Sequence, residues 1–329
     1  MSRLHGERLL GVQQMPASAM KLLPPTVRQK ISPFFLFLCR FFIPCGVHGT
    51  IEKIFGKGKA MRFCSLASSS SGNCYYVGSR STHILIDGGI SKRRIERGLA
   101  ELGLTLSDIS AVLVTHEHSD HVKGLDQLAK RTEIPFYGTA GTLAGLAAAL
   151  PWAEKRAEEA EELLVQLRKP FTVGDLSVDF FPLSHDAADP VGFTVSDGTR
   201  KFAVCTDTGV FTEEIEDAVS GADVLVCETN YDEEMLAEGP YPAYLKRRIA
   251  GRYGHLSNRD GGRLIASVLH GRIRQVVLGH LSPMNNLPLT AERTVRAVIR
   301  ESGTDFAAEA GEVPLFAAPK DALSPLIEW

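Results

Sequence analysis

The chain is poor in the features that would mark a thiolate metal site, a membrane protein or a strongly basic polyanion binder. Its six cysteines, Cys39, Cys45, Cys64, Cys74, Cys205 and Cys227, show no C-x-x-C spacing, which argues against a zinc–thiolate site. Cys205 and Cys227 lie in apolar runs and read as buried free thiols. Cys64 and Cys74 are placed to face each other across a hairpin, and a reduced pair is the reading taken. A net charge of −3 provides no global positive field, so any contact with a polyanion must come from a local patch. Nothing after residue 61 reads as a repeat, a low-complexity tract or a long linker. What remains is ordinary globular composition, 44% hydrophobic and 23% charged over 329 residues, enough for one large or two small domains.

Residues 1–60 differ from the rest. Pro33 to Cys39 and Phe41-Phe42-Ile43 form an aromatic-rich run broken by Arg40 and ended by Pro44, too short and too interrupted to read as a membrane span. The expectation is that this segment stands outside the functional fold, with Met61 the true initiator. The alternative is a signal or anchor, since basic residues precede the run and Cys45-Gly46 follows it.

From Met61 onward, apolar periodicity and turn residues predict strands at Arg62–Leu66, Cys74–Val77, Thr82–Asp87, Ala111–Thr115, Ile134–Tyr137, Leu176–Pro182, Val191–Val195, Lys201–Cys205, Asp223–Cys227 and Arg274–Leu278. Helices are expected over 91–102, 121–130, 140–167 with a break at Pro151, 258–269 and 290–301. Asp197-Gly198 predicts a type I′ hairpin between two of the strands. Strands followed by helices in both halves fit two packed sheets with helices outside.

The densest chemistry is His116-Glu117-His118-Ser119-Asp120-His121, three imidazoles and two carboxylates within six residues, directly after a buried-strand run. Imidazole and carboxylate ligate zinc, manganese or iron. His116 and His118 point the same way from an extended segment. Asp120 and His121 follow as the chain enters a helix and face a second ion, so the spacing suggests two metals.

This pattern resembles the ligand motif of the metallo-β-lactamase fold superfamily, four-layer αββα α/β proteins with a hydrolytic metal site between two sheets. The resemblance implies three further ligands, a His, an Asp and a His at successive strand ends. His185 in Ser184-His185-Asp186, Asp207 in Thr206-Asp207-Thr208-Gly209 and His280 in Gly279-His280-Leu281-Ser282 fall where they are required. Asp207 matches the bridging aspartate, and Asp87 matches an early aspartate that orients a ligand histidine through its free N–H. The expected cofactors are two divalent ions, zinc or manganese, since all donors are N or O. Such a pair lowers the pKa of a bridging water toward neutrality, with Asp120 both a ligand and the group that orients this nucleophile.

Gly254-His255-Leu256-Ser257-Asn258 resembles the third motif of the β-CASP nucleases. The resemblance makes His255 a donor to the leaving oxygen or a ligand of the scissile phosphate, and Ser257 a donor to a phosphate oxygen. Ser257 is equally the N-cap of the helix that begins at Asn258. Tyr241 to Arg248, with Lys246, Arg248 and nearby Arg252, is a local basic and aromatic stretch that reads either as a phosphate-binding patch or as a solvated helix face.

Taken together, Leu66-Ala67-Ser68 with Ser71-Gly72-Asn73, Thr115 to His121, Ser184 to Ala188, Cys227 to Asp232, Leu245 to Ile249, Gly254 to Asn258 and Gly279 to Ser282 with Asn285-Asn286 resemble the YycJ (WalJ) family over nearly all of residues 61–310. The resemblance implies a cytoplasmic 5′→3′ exonuclease on double-stranded DNA, with a role in repair, DNA ends as partner and no stable membrane association for 61–329. One departure stands out: there is no room for a full β-CASP insert between Asp207 and His255, so clamping of substrate is expected to be open and strict processivity is not implied. The competing expectations are a small-molecule phosphodiesterase or an RNA-processing nuclease of the same fold, and a non-catalytic metal-binding partner of a cell-wall two-component system.

Overall fold

The structure is a computed structural model that describes residues 60–149, 163–303 and 313–329. The expectation for residues 1–60 lies outside the described residues, apart from residue 60, as do Cys39 and Cys45. Two seven-stranded sheets form the frame. The first sheet runs β14-β1-β2-β3-β4-β5-β6, from β1 (Arg62–Ala67), β2 (Cys74–Gly78), β3 (His83–Ile86), β4 (Ala111–Leu113), β5 (Phe136–Gly138), β6 (Leu164–Gln166) and β14 (Ile327–Glu328). The second runs β13-β12-β11-β10-β9-β8-β7, from β7 (Phe171–Val173), β8 (Leu176–Pro182), β9 (Val191–Ser196), β10 (Lys201–Cys205), β11 (Val224–Glu228), β12 (Gln275–Gly279) and β13 (Leu315–Ala317).

The burial pattern explains the layering. Phe63, Tyr75, Val77, Ile84 and Ile86 from the first sheet meet Val178, Phe193, Val195, Phe202, Val204 and Val226 from the second in one apolar interior. Phe63 stacks on Phe202 with ring centroids 5.1 Å apart, a geometry that adds to simple area burial. The opposite faces are also apolar. Cys64, Leu85 and Val112 pack under the helices α1 (Lys92–Glu101) and α3 (Leu125–Ala129), through Ile95, Leu99 and Leu125. Ala203, Leu225, Val276 and Leu278 pack under α5 (Glu213–Val219), α8 (Asn258–Val268) and α9 (Pro288–Glu301). A sheet buried on both faces reads as continuous apolar runs rather than as alternation, which is how these strands read in the sequence. The result is the expected αββα order.

Several details differ from expectation. The helix predicted over 140–167 holds for α4, Ala140–Ala149; residues 150–162 lie outside the described residues, and Leu164–Gln166 is instead the edge strand of the first sheet, parallel to β5. Leu164 and Val165 are apolar and suit a strand edge as well as a helix turn, so periodicity could not separate the two. The 197–198 turn is also not a two-residue loop. Ser196 pairs with Lys201, leaving four residues between strands, and Asp197 Oδ1 accepts from the backbone N–H groups of Thr199 at 2.9 Å and Arg200 at 2.8 Å. The aspartate side chain closes the turn, so only Gly198 takes a left-handed φ, +87°. Ala67, not Cys64, pairs with Cys74 across β1 and β2, and Cys64, Cys74, Cys205 and Cys227 are buried and free.

Candidate metal centre

The parallel strands β3, β4, β10, β11 and β12 deliver their carboxyl ends to one rim, the usual location of a site in an α/β frame. Three side chains there leave their strands in the left-handed region: Asp87 at φ +61°, Asp207 at +65° and His280 at +56°. Among the described residues these are the non-glycine residues with positive φ. Such conformations are strained for an L-residue and concentrate at functional sites.

The loop His116 to His121 is pressed against the turn after β3. Gly88 N–H donates to the His121 carbonyl at 2.7 Å, and Asn73 N–H donates to that of Asp120 at 2.8 Å. A Cβ on Gly89 would lie 1.6 Å from the Asp120 carbonyl oxygen, so glycine is required for this approach. Asn73 also turns its side-chain Nδ2 toward His121 Nε2 at 3.1 Å.

The imidazoles are oriented from behind. His121 Nδ1 lies 2.8 Å from Asp87 Oδ2, and Asp87 is fixed in turn by the Thr115 N–H at 2.9 Å. His185 Nδ1 meets the Gly254 carbonyl at 3.0 Å, and His280 Nδ1 meets Glu228 Oε1 at 2.8 Å. Each contact assigns the proton to Nδ1 and turns Nε2 inward. His185 Nε2 then lies 3.2 Å from His118 Nδ1. His121 Nε2 is 3.3 Å from Asp207 Oδ2, and His280 Nε2 is 3.3 Å from Asp120 Oδ2.

The donor atoms fall into adjoining groups, each within 4.8 Å: His116, His118 and His185; Asp120, His121 and His280; and His116, His121 and Asp207, which joins them. His116 Nε2 and Asp207 Oδ2 are buried without a hydrogen-bond partner. Polar atoms are rarely left so in a folded interior unless something else binds them. Two orphaned donors facing into a set made wholly of N and O ligands fit a divalent cation centre.

Charge reinforces this. Burial alone would raise the carboxyls of Asp120 and Asp207. Facing histidines, His121 and His280, reverse the sign and hold both below the usual carboxylate range. Burial would lower His280, yet Asp207, Asp120 and Glu228 drive its pKa up to about 10. His121 is likewise raised, against burial, by Asp207, Asp87 and Asp120. His116 is pushed down by burial and by the neighbouring His121, and His185 mainly by burial. Two histidines that hold protons against burial mark a concentration of negative charge in need of cations.

Of the remaining residues singled out in the sequence, His255 reaches the same centre. Its Nδ1 is 2.8 Å from Glu228 Oε1, and its ring lies 5.0 Å from that of His185 and 5.2 Å from that of His280. Ser257 is fully buried and caps α8: its Oγ accepts from Asp260 N–H at 3.1 Å and contacts Glu233 and Asp260 carboxylates at 3.2 and 3.0 Å. Lys246 and Arg248 lie on α7 (Ala243–Ile249). Lys246 Nζ donates to the Ala237 carbonyl at 2.6 Å. Arg248 grips Asp186 with two bonds, Nε at 2.6 Å and Nη2 at 3.0 Å, beside the ligand candidate His185. Glu228 was not singled out in the sequence. Fully buried, it contacts His255 and His280 through one oxygen and accepts from Thr208 N–H at 2.9 Å and Leu256 N–H at 3.2 Å through the other. Its signal was a carboxylate ending the apolar run Val224–Cys227, as Asp87 ends Ile84–Ile86.

The chain is similar to known proteins in sequence and in fold. Residues 82–281 match the family model described as Beta-lactamase superfamily domain. The chain is 36% identical over 246 residues to Exodeoxyribonuclease YycJ of Bacillus anthracis, covering 74% of this chain and 90% of that one. It is 32% identical over 249 residues to Exodeoxyribonuclease WalJ of Streptococcus pneumoniae, covering 74% and 92%. The crystal structure of the metallo-β-lactamase fold protein YhfI from Bacillus subtilis superposes with a TM-score of 0.60 at 14% identity, over 82% of this chain and 100% of that one, a likeness of fold alone.

Proposed function

The chain belongs to the metallo-β-lactamase-fold family of YycJ and WalJ, and from that premise we propose that it is a metal-dependent exonuclease that removes nucleotides 5′→3′ from double-stranded DNA. The observation that carries the proposal is the convergence of His116, His118, His185, Asp120, His121, His280 and Asp207 into adjoining donor groups with His255 beside them. Two divalent ions, zinc or manganese, are the proposed cofactors. His116, His118 and His185 would hold one, Asp120, His121 and His280 the other, and Asp207 would contact both. When bound, such ions supply a Lewis acid that activates water and offsets charge on the phosphate.

The chain's own groups do the rest. Asp120, kept ionised by its histidine neighbours, accepts a hydrogen bond from the attacking water and fixes its direction. As water attacks phosphorus it gives up a proton, with Asp120 the accepting carboxylate, the bond to the leaving 3′ oxygen breaks, and that oxygen must take a proton. His255 is the candidate donor: its Nδ1 is committed to Glu228, so its Nε2 is the atom free to deliver one. No helix among the described residues is long and apolar enough to cross a membrane. DNA ends as substrate put the proposed reaction in the cytoplasm, and a part in repair follows from action on such ends.

The test is hydrolysis of end-labelled duplexes by protein reloaded with zinc or manganese, beside Asp120→Asn and His255→Ala. Both variants are expected to lose activity by about 10² or more, with His255→Ala keeping its full metal content. Cleavage of a small phosphodiester with DNA ends left intact would sink the DNA reading. No cleavage of either by metal-replete protein would favour a non-catalytic binding role.

A further inference from the structure

We propose that Tyr253 is the platform on which the terminal base of the DNA stacks, so that the enzyme grips its substrate end by an unpaired nucleobase as well as by phosphate. This rests on the nuclease reading above and specifies how that site takes its substrate. Most tyrosines of the described residues are buried or half-buried, but Tyr253 is 60% exposed and Tyr244 69% exposed.

Tyr253 stands at the lip of the metal centre on backbone that is tied down on both sides. Its carbonyl accepts from Asp186 N–H at 3.1 Å. The next carbonyl, of Gly254, accepts from His185 Nδ1 at 3.0 Å. His255 N–H then donates to Ile249 O at 2.9 Å, closing the segment onto α7. A Cβ on Gly254 would fall 2.1 Å from the Ile249 carbonyl oxygen, so the segment has no slack. One residue, Gly254, separates Tyr253 from His255, a Cα span of at most about 7 Å, comparable with the reach from a nucleotide's phosphate to its base. The side chain is therefore exposed to solvent, and the backbone that carries it is registered to His255 and His185.

Its surroundings suit a nucleic acid. Tyr244, Arg247 and Arg248 share one face of α7 at i, i+3 and i+4, and Arg252 follows; all four are exposed. On a chain of net charge −3, this local basic and aromatic surface is complementary to a polyanion with π faces. Stacking on an aromatic ring is tolerant of sequence, because every base offers a face. The absence of a full β-CASP insert between Asp207 and His255 leaves this lip open to a strand end.

The experiment uses full-chain, metal-loaded protein and 5′-phosphorylated duplexes whose terminal nucleotide carries adenine, no base, or 2-aminopurine. Tyr253→Ala should raise KM on the adenine end about 10-fold, within the range of base stacking, while Tyr253→Phe behaves as wild type. On the abasic end wild type and Tyr253→Ala should be equal, since one partner is already missing. Terminal 2-aminopurine fluorescence should be quenched on binding wild type and Tyr253→Phe but not Tyr253→Ala. An equal loss on base-bearing and abasic ends, or quenching that survives Tyr253→Ala, would overturn the inference. Wild-type protein that cleaves no DNA end would overturn the nuclease reading, and the fluorescence would still show whether a bound base lies on this ring.

Discussion

His280 turns its Nδ1 onto Glu228 Oε1 at 2.8 Å, and that single oxygen also receives His255 Nδ1 at 2.8 Å. One buried carboxylate thus sets the orientation of a metal-ligand candidate and of the proposed proton donor together. Burial would raise Glu228, and His255 with His280 instead holds it below the ordinary glutamate range. Glu228→Gln keeps the shape but removes the charge. Metal affinity or activity is expected to fall by about 10- to 100-fold, the usual effect of losing a partner behind a ligand. Metal titration and kinetics on the same folded sample check this.

Gly89→Ala tests the fit between the turn after β3 and the ligand loop. The new methyl would collide with the Asp120 carbonyl, which is main chain and can move only with its loop. Asp120 and His121 are therefore expected to shift, with loss of about one equivalent of metal and most activity. Retention of both ions, measured by elemental analysis, would contradict the role given to this contact.

The pH response of metal-free protein follows from the raised histidines. A histidine whose folded pKa exceeds its unfolded value stabilises the fold below the unfolded value of 6.5, and that contribution fades as pH rises toward the folded value of about 10 for His280. Metal-free protein should accordingly lose Tm between these limits. Metal must displace the same protons, so its affinity should fall as pH falls. Calorimetry in buffers of different ionisation enthalpy should register protons released on binding.

Arg247 and Arg252, both exposed, are expected to act as phosphate contacts. Replacing each by Ala should weaken DNA binding at all sequences and flatten the slope of log K against log salt by about 0.9 per contact removed, leaving kcat nearly unchanged. An unaltered slope would show that this face does not meet the backbone.

The sequence made some of this legible and hid the rest for physical reasons. His116, His118, Asp120 and His121 are adjacent in the chain, so their density announced itself. His185, Asp207 and His280 are single residues at strand ends and became visible only through the family pattern. Glu228 was quoted within that pattern but not given a role, because its partners His255 and His280 are distant in sequence and meet it only once β11 and β12 pair. Ser257 offered two readings from one local motif; its Oγ caps α8 through Asp260 N–H and also meets Glu233, a contact across the fold that the local motif did not announce. Leu164–Gln166 is a strand because β5 lies beside it, information that no local window contains.

Asp87, Asp207 and His280 take the same left-handed step as they leave their strands. The position of the centre is thus written into the main chain rather than into the reach of long, flexible side chains. Asparagine and glycine accept that step readily, whereas β-branched residues resist it. An engineer who wishes to retune the metal preference can therefore exchange the donor atom at these corners, as in Asp207→Asn, without redrawing the path of the chain. The scaffold behaves as a socket whose shape outlasts the identity of its contacts.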